Sequence, residues 1–395
     1  MLLEVITAGG GRATLLSGDD RNRLEGHLMN HRERFVRTLT GKPVDRVPFI
    51  KVFGGTNAVL PRWEAECPGI GETIDELLGF EGEYRGWQIA PVDMNPSNLG
   101  PEEILKDDEH ERIIRKGHGG VELFMKNVDF GYRVLEFPVK TRDDWLRIKD
   151  RHMDPDDPGS FADTWPDFVK RRRGREGPLQ LTHRGVYGFP RNLMGDEALA
   201  YAFYDDPEMV HDMMHTYTDL ALVVWEKMCA EVDFDLIECW EDMASKNGAI
   251  ISPAMFREFM KPQYERVRAF ADAHGIEIVL VDSDGYIDDF TELMLEAGVT
   301  AMYPYEVQAG CDPMRMLDRY PTLGIVGGLN KNVMAQGTGA IDAEMERART
   351  LIRKGRFIPG PDHFVLSDVS WKHYRYFMER LREVVMTTRP GLENG

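Results

Sequence analysis

Five side chains able to hold a cation or move a proton follow apolar, strand-like runs in this sequence. They are Glu238, Asp282, Asp284, Glu306 and His363. If those runs form parallel strands, the side chains meet where the strands end, and crowded carboxylates disfavour ionisation unless a cation or shared protons relieve the repulsion. Carboxylate and imidazole ligands suit zinc, manganese or iron. The spacing therefore predicts a divalent metal site, while helix capping by Asp282 and Asp284 is the plainer interpretation.

A second group of side chains is placed to line a pocket beside these ligands. Tyr286 follows Asp284 by two residues and, with Asp284 and His363, is a candidate to move protons. The candidate substrate-binding residues, each in or beside a predicted strand end, are Phe53, His183, Trp240 and Asn330. Aromatic, imidazole and amide side chains of this kind can wall a small-molecule site.

The elements that must position these residues alternate regularly. From about residue 178, short apolar runs are followed by amphipathic stretches, which is typical of strands buried between two layers of helices. The predicted strands are 178–182, 234–239, 277–281, 301–305, 323–327 and 357–359. The predicted helices are 197–229, 253–274, 287–297, 313–320, 342–354 and 372–387.

An early predicted strand, 47–53 after a helix at 31–40, brings the count close to eight βα units. The pattern predicts an α/β fold, a (β/α)8 TIM barrel, in which reactive groups lie at the carboxyl ends of the strands. A doubly wound sheet would favour a G-x-G-x-x-G turn after a strand, and the sequence has none there.

Residues 101–145 interrupt this alternation. The runs 119–124 and 132–138 predict a β-hairpin inserted between barrel units. No low-complexity linker divides the chain, so we expect a single barrel domain over 29–390. Residues 1–28 carry no cleavable signal, and we expect them to form a loosely ordered amino-terminal extension.

The composition argues against a nucleic-acid-binding protein and against a membrane-spanning protein. The 395 residues carry a formal net charge of −19, which repels nucleic acid, and no apolar run approaches the length of a membrane helix. Four scattered cysteines form no disulfide framework and favour a reducing, cytoplasmic location.

Several short motifs together resemble the uroporphyrinogen decarboxylase superfamily over about residues 30–388. They are RERF at 32–35, GKPVDRVP at 41–48, YDDPE at 204–208, NG at 247–248, ISPAMFREF at 251–259 and PGPDH at 359–363. A further segment, EFPVKTRDDW at 136–145, is similar to the branch related to corrinoid methyltransferases. The resemblance implies a (β/α)8 barrel of the uroporphyrinogen decarboxylase type, in agreement with the alternation of strands and helices.

The sequence departs from both chemistries of that superfamily. Porphyrinogen decarboxylases carry an arginine-bearing segment after the first strand, whereas residues 50–57 offer Lys51 alone, a poor match to a polyanionic tetrapyrrole. Methylcobamide:coenzyme M methyltransferases bind zinc through His-x-Cys and a distant Cys, and here Asp282, Asp284 and His363 stand near those positions. Oxygen and nitrogen ligands make a harder Lewis acid, suited to an ether or alcohol oxygen.

The resemblance therefore implies a demethylase that passes a methyl group from a methoxylated small molecule to a corrinoid (cobalamin) carried by a partner protein. A divalent metal, zinc in the resembled branch, would polarise the oxygen. One alternative is a decarboxylase in which Asp284 and His363 transfer protons. Another is a non-catalytic protein that binds a corrinoid or a porphyrin. Related proteins are often dimers, which leaves a homodimer open.

Overall fold

The computed structural model describes residues 29–96, 100–156 and 161–391. Its helices are α1 (His31–Thr40), α2 (Leu60–Glu66), α3 (Ile70–Leu78), α4 (Arg142–His152), α5 (Trp165–Arg172), α6 (Gly188–Met194), α7 (Asp196–Asp205), α8 (Pro207–Cys229), α9 (Pro253–Met255), α10 (Lys261–Ala273), α11 (Thr291–Glu296), α12 (Pro313–Arg319), α13 (Val333–Gln336), α14 (Thr338–Lys354) and α15 (Trp371–Thr387). Its strands are β1 (Gln88–Ile89), β2 (Glu103–Asp107), β3 (Glu111–Arg115), β4 (Val121–Met125), β5 (Tyr132–Glu136), β6 (Leu179–His183), β7 (Leu236–Trp240), β8 (Ala244–Ser245), β9 (Gly248–Ala249), β10 (Ile278–Asp282), β11 (Ala301–Tyr303), β12 (Gly324–Leu329) and β13 (Phe357–Pro361). The predicted extension 1–28 lies outside the described residues.

A parallel sheet of seven strands, in the order β1-β6-β7-β10-β11-β12-β13, forms the centre of the α/β fold. Strands β10 and β12 are buried along their whole length, as expected for apolar strands covered by helices on both faces. The register pairs Asp282 with both Trp240 and Tyr303. Strands β7, β10 and β11 therefore end at the same level, and the loops that follow them share one rim.

The predicted first strand at 47–53 is wrong, because this segment takes no strand conformation. Its carbonyl groups accept hydrogen bonds from the irregular stretch after α3, with Arg85 N 2.8 Å from Lys51 O. The segment still packs beside β13, since a Cβ atom on Gly360 would lie 2.2 Å from Val52. Just beyond these two segments, Gly55 and Val365 form an isolated parallel β-bridge.

The insertion is larger than the predicted hairpin. Strands β4 and β5 pair antiparallel, and β2 and β3 extend them to a four-stranded sheet. Cross-strand ion pairs such as Arg115–Glu103, 2.6 Å apart, stabilise the outer strands. Strands β2 and β3 contain several charged residues, so their sequences show no apolar run that would predict a strand.

The helix predicted at 197–229 is two helices, α7 and α8. The Asp206 side chain accepts a hydrogen bond from Met209 N, and Pro207 occupies the first turn of α8. A capping carboxylate followed by proline is a strong signal for a new helix start. Among the described helices, none combines the length and the apolar character that crossing a bilayer requires.

Candidate active site

Three side chains from three different strand ends converge at the rim. Asp284 follows β10, Glu306 follows β11 and His363 follows β13, and one ligand atom from each lies within 4.8 Å of the others. His363 Nε2 is 3.2 Å from Asp284 Oδ2. Glu306 Oε2 accepts a hydrogen bond from Gly285 N at 2.8 Å, which fixes that carboxylate against the β10 loop. We call these three residues the Asp284 cluster.

Asp282 and Glu238, which the sequence placed among the ligands, are not part of the Asp284 cluster. Both carboxylates face a guanidinium, with Arg85 Nη1 3.1 Å from Asp282 and 3.2 Å from Glu238. Burial raises the pKa of Asp282 well above its usual range, and the charge of Arg85 opposes that rise. The two side chains thus form an internal ion-pair network below the rim.

Lys331, just after β12, is a cation that sequence reasoning passed over. It is only 8% exposed, and among the described residues no hydrogen bond or ion pair to its Nζ is found. Burial lowers the pKa of the Lys331 ammonium, while the charges of Asp362, Glu306, Asp284 and Asp129 act to raise it. The strand-end rule that selected Asn330 would also have found this neighbouring residue.

Aromatic rings cover the imidazole of the Asp284 cluster. Phe53, a predicted pocket residue, stacks on His363 with ring centroids 4.9 Å apart and an interplanar angle of 18°. Phe130, from the loop between β4 and β5, meets the same imidazole edge-on at 5.0 Å. The insertion therefore contributes directly to the site, which its position in the sequence did not indicate.

The Asp129 carboxylate links the loop that carries Phe130 to the barrel through hydrogen bonds. Asp129 Oδ2 accepts hydrogen bonds from Ser367 N at 3.1 Å and Ser367 Oγ at 2.6 Å. Asp129 Oδ1 accepts a hydrogen bond from the Thr56 hydroxyl. These contacts join the loop to both sides of the Gly55–Val365 bridge.

Asp242 and Trp240 connect the Asp284 cluster to two arginines. Asp242 Oδ1 accepts a hydrogen bond from Asp284 N at 3.4 Å, and its Oδ2 is 3.1 Å from Arg191 Nη2. The guanidinium carbons of Arg184 and Arg191 lie 4.5 and 4.8 Å from the Trp240 ring centroid. Burial and the nearby charge of Asp284 raise the pKa of Asp242.

Glu241 holds the loop that carries Arg184. Its buried carboxylate accepts hydrogen bonds from Val186 N at 2.7 Å, Tyr187 N at 2.7 Å and Gly188 N at 2.9 Å, and from the Tyr264 hydroxyl. These amides precede and begin α6, and the N–H groups of a first helical turn, which have no partner within the helix, attract negative charge. The loop lies so close to β7 that a Cβ atom on Gly188 would be 2.2 Å from Trp240 O.

The remaining predicted residues, Tyr286, Asn330 and His183, make contacts outside the Asp284 cluster. Tyr286 Oη lies 3.5 Å from Arg315 Nη2, and no contact with the Asp284 cluster is found for its hydroxyl among the described residues. Asn330 Oδ1 accepts a hydrogen bond from Asn332 N at 2.9 Å, which closes its own turn. His183 is fully buried against Tyr217 and Trp225, with ring centroids 4.9 and 5.8 Å away. Because both aromatic residues belong to α8, His183 faces the helix layer and not the rim.

His183 predicts a specific pH dependence of stability. Burial lowers its pKa from 6.5 to about 3, so between those values the unfolded chain binds a proton that the folded chain does not. Stability therefore falls as pH falls below 6.5, with this group contributing about 1.4 kcal/mol per pH unit. We expect His183→Phe to lower the slope of unfolding free energy against pH by about 1.4 kcal/mol per pH unit between about pH 6 and 4. The exposed His110→Gln control should keep it, and equal slopes in parent and His183→Phe would contradict the assignment.

The donor set of the Asp284 cluster suits a divalent cation. Ligand atoms around tetrahedral zinc are about 3.4 Å apart when the bonds are about 2.0–2.2 Å long, close to the 3.2 Å between His363 and Asp284. Two carboxylates and one imidazole leave further positions for a substrate atom, as in catalytic rather than structural sites. The residues present therefore fit a metal ion.

Comparisons with known proteins agree with this architecture. Residues 186–384, just over half of the chain, match the family described as uroporphyrinogen decarboxylase (URO-D). A methyltransferase from Methanosarcina mazei superposes on 90% of this chain and 99% of its own, with a TM-score of 0.60 and 15% identity, a likeness at the level of the fold. A candidate vitamin-B12 independent methionine synthase from Listeria monocytogenes covers 55% of this chain and 68% of its own at 15% identity, and its TM-score of 0.32 carries no argument.

No curated protein sequence matches the chain. The family match lies over the carboxyl-terminal strands that carry the Asp284 cluster, and the family fold is a TIM barrel. The resemblance read from the short motifs is thereby confirmed: the chain belongs to the uroporphyrinogen decarboxylase family.

Proposed function

We propose that the protein is a metal-assisted methyltransferase that moves a methyl group from the oxygen of a methoxylated small molecule to a corrinoid protein. The observation that carries the proposal is the convergence of Asp284, Glu306 and His363 within 4.8 Å. Membership of a family with a TIM-barrel fold and the fold-level likeness to a methyltransferase support it.

Asp284, Glu306 and His363 would hold the metal ion. A divalent cation bound there, zinc in the first instance, supplies Lewis-acid polarisation of the methoxyl oxygen. In the proposed reaction the oxygen would keep both electrons of the methyl–oxygen bond, and the reduced corrinoid of a partner protein would accept the methyl group. The oxygen then takes up a proton to give an alcohol or phenol.

The surrounding side chains orient the substrate and supply the proton. Lys331 Nζ is within electrostatic reach of Asp284 and Glu306, lies 5.7 Å from the Phe130 ring centroid and makes no hydrogen bond or ion pair among the described residues, so it can donate a proton to the departing oxygen. Phe53 and Phe130 present flat apolar walls beside His363 and keep water from the reacting bond. The hydrogen bond from Gly285 N holds Glu306 in place.

Metal content and methyl transfer test the proposal together. We expect the purified protein to carry about one divalent ion per chain, and Asp284→Asn and His363→Ala to lower the occupancy at least about tenfold, since each removes a ligand. With cob(I)alamin and a panel of methoxylated compounds, the parent should change the corrin spectrum and both variants should not. The exposed Glu292→Gln variant is the matched control and should behave as the parent. A parent protein without a stoichiometric divalent ion would contradict the proposal.

A decarboxylase is the second candidate, favoured by the direct Asp284–His363 contact of 3.2 Å, which can shuttle a proton without a metal. The two candidates respond differently to a chelator. Turnover of a carboxylated substrate that survives complete metal removal would favour the decarboxylase. Loss of methyl transfer on chelation, with recovery when zinc is restored, would favour the methyltransferase.

A further inference from the structure

A cleft of about 580 Å³ lies between the four-stranded sheet and the rim of the barrel. Tyr132 and Glu122 line it from the insertion, and Arg184, Trp240 and Asp242 line it from the barrel. Neither the family match nor the Asp284 cluster assigns it a role. Because Asp242 also accepts a hydrogen bond from Asp284 N, one end of the cleft adjoins the Asp284 cluster.

Two arginines of the cleft lie close together on one aromatic ring. Arg184 and Arg191 both lie against the Trp240 ring, although the chain has a formal net charge of −19. Arg191 is neutralised by Asp242, with 3.1 Å between Nη2 and Oδ2. No ion pair to Arg184 is found among the described residues, and its buried Nε has no hydrogen-bond partner there. Within the described part of the chain, the Arg184 guanidinium therefore has no direct ion-pair partner.

The other carboxyl groups of the cleft are already engaged. Glu122 interacts with the Tyr132 hydroxyl; burial raises the pKa of Glu122, while the nearby charges of Lys116 and Arg184 act to lower it. Asp196 accepts a hydrogen bond from the Tyr187 hydroxyl at 2.9 Å. Neither group therefore meets the hydrogen-bonding demand of Arg184.

We propose that this cleft binds the carboxylate of a small molecule through the Arg184 guanidinium, with Trp240 and Tyr132 against the apolar body of the ligand. A planar guanidinium pairs with a carboxylate through two parallel hydrogen bonds, which the Arg184 side chain can offer because it makes no ion pair among the described residues. The far end of such a ligand points along Asp242 toward the Asp284 cluster. The orientation rests on the proposed methyl transfer, whereas the binding itself does not.

Binding of benzoate and its neutral amide, benzamide, measured by calorimetry, tests the inference. We expect benzoate to bind the parent and to bind Arg184→Gln about 10- to 100-fold more weakly, the loss typical of a charge-assisted pair. Benzamide should bind both proteins weakly and about equally. Arg184→Lys, which keeps the charge but not the paired geometry, should fall between, and the exposed Arg375→Gln variant should match the parent.

Several results would overturn the inference: benzoate that fails to bind the parent at millimolar concentration, affinity within twofold in Arg184→Gln, or benzamide that binds as tightly as benzoate. Inorganic phosphate that displaces benzoate with equal affinity would overturn the carboxylate assignment. Circular dichroism and metal content of Arg184→Gln should match the parent. If the parent holds no metal but loses benzoate binding on Arg184→Gln, the proposed function fails and the carboxylate site stands.

Discussion

Replacing Glu241 by alanine is expected to lower the free energy of unfolding by about 3–5 kcal/mol. The substitution leaves the N–H groups of Val186, Tyr187 and Gly188 and the Tyr264 hydroxyl without their buried acceptor. Each buried donor without an acceptor costs about 1–3 kcal/mol, and partial entry of water recovers some of the total. Equilibrium unfolding in urea, followed by circular dichroism, gives the difference directly.

Two further variants sharpen this test of Glu241. Glu241→Gln keeps one carbonyl acceptor but turns an amide NH₂ group toward donors, so we expect a smaller loss of about 1–3 kcal/mol. Glu265→Ala, on the exposed face of α10, should stay within about 0.5 kcal/mol of the parent. A Glu241→Ala protein as stable as Glu265→Ala would show that the carboxylate does not hold this loop.

Replacing Lys331 by methionine is expected to lower kcat for methyl transfer by about 10²- to 10³-fold, the usual contribution of a positioned proton donor. Methionine fills similar volume without the ammonium, and the Asp284 cluster is left intact. Metal content should therefore equal that of the parent. The exposed Lys372→Met variant should retain parental kcat.

The leaving group distinguishes proton donation by Lys331 from a merely structural role. A methoxylated substrate whose product is an acidic phenol needs little protonation, so its rate should fall much less in Lys331→Met than that of a poorly acidic alcohol. An equal loss for both substrates, or a variant within a few-fold of the parent, would contradict the assigned role.

The sequence located the Asp284 cluster because all three members follow apolar strands, and the carboxyl ends of parallel strands share one rim. The same rule grouped Asp282 and Glu238 with these three residues. It could not foresee Arg85, which occupies both carboxylates from an irregular turn with a φ of +63°. Turns of this kind leave no periodic pattern in a sequence.

The alternation of side chains between the two faces of β6 could have predicted the orientation of His183. Successive strand residues face opposite sides, and Gln180 on β6 points inward, where its Nε2 is 2.8 Å from Glu238 Oε2. His183, three residues later, must therefore face outward toward α8. Phe130 is the opposite case, since nothing local marks a loop tip of the insertion as part of a site formed by distant strands.

The attachment of the Phe130 loop through Asp129 determines which substitutions in that loop the fold can accept. Phe130, which contacts His363 edge-on, belongs to the loop between β4 and β5, whereas Asp284, Glu306 and His363 follow strands of the parallel sheet. Residues of the loop between β4 and β5 can therefore be exchanged while the Asp284 cluster keeps its geometry, provided the hydrogen bonds from Thr56 and Ser367 to Asp129 persist. The aromatic wall over His363 can thus vary independently of the three residues that we propose as metal ligands.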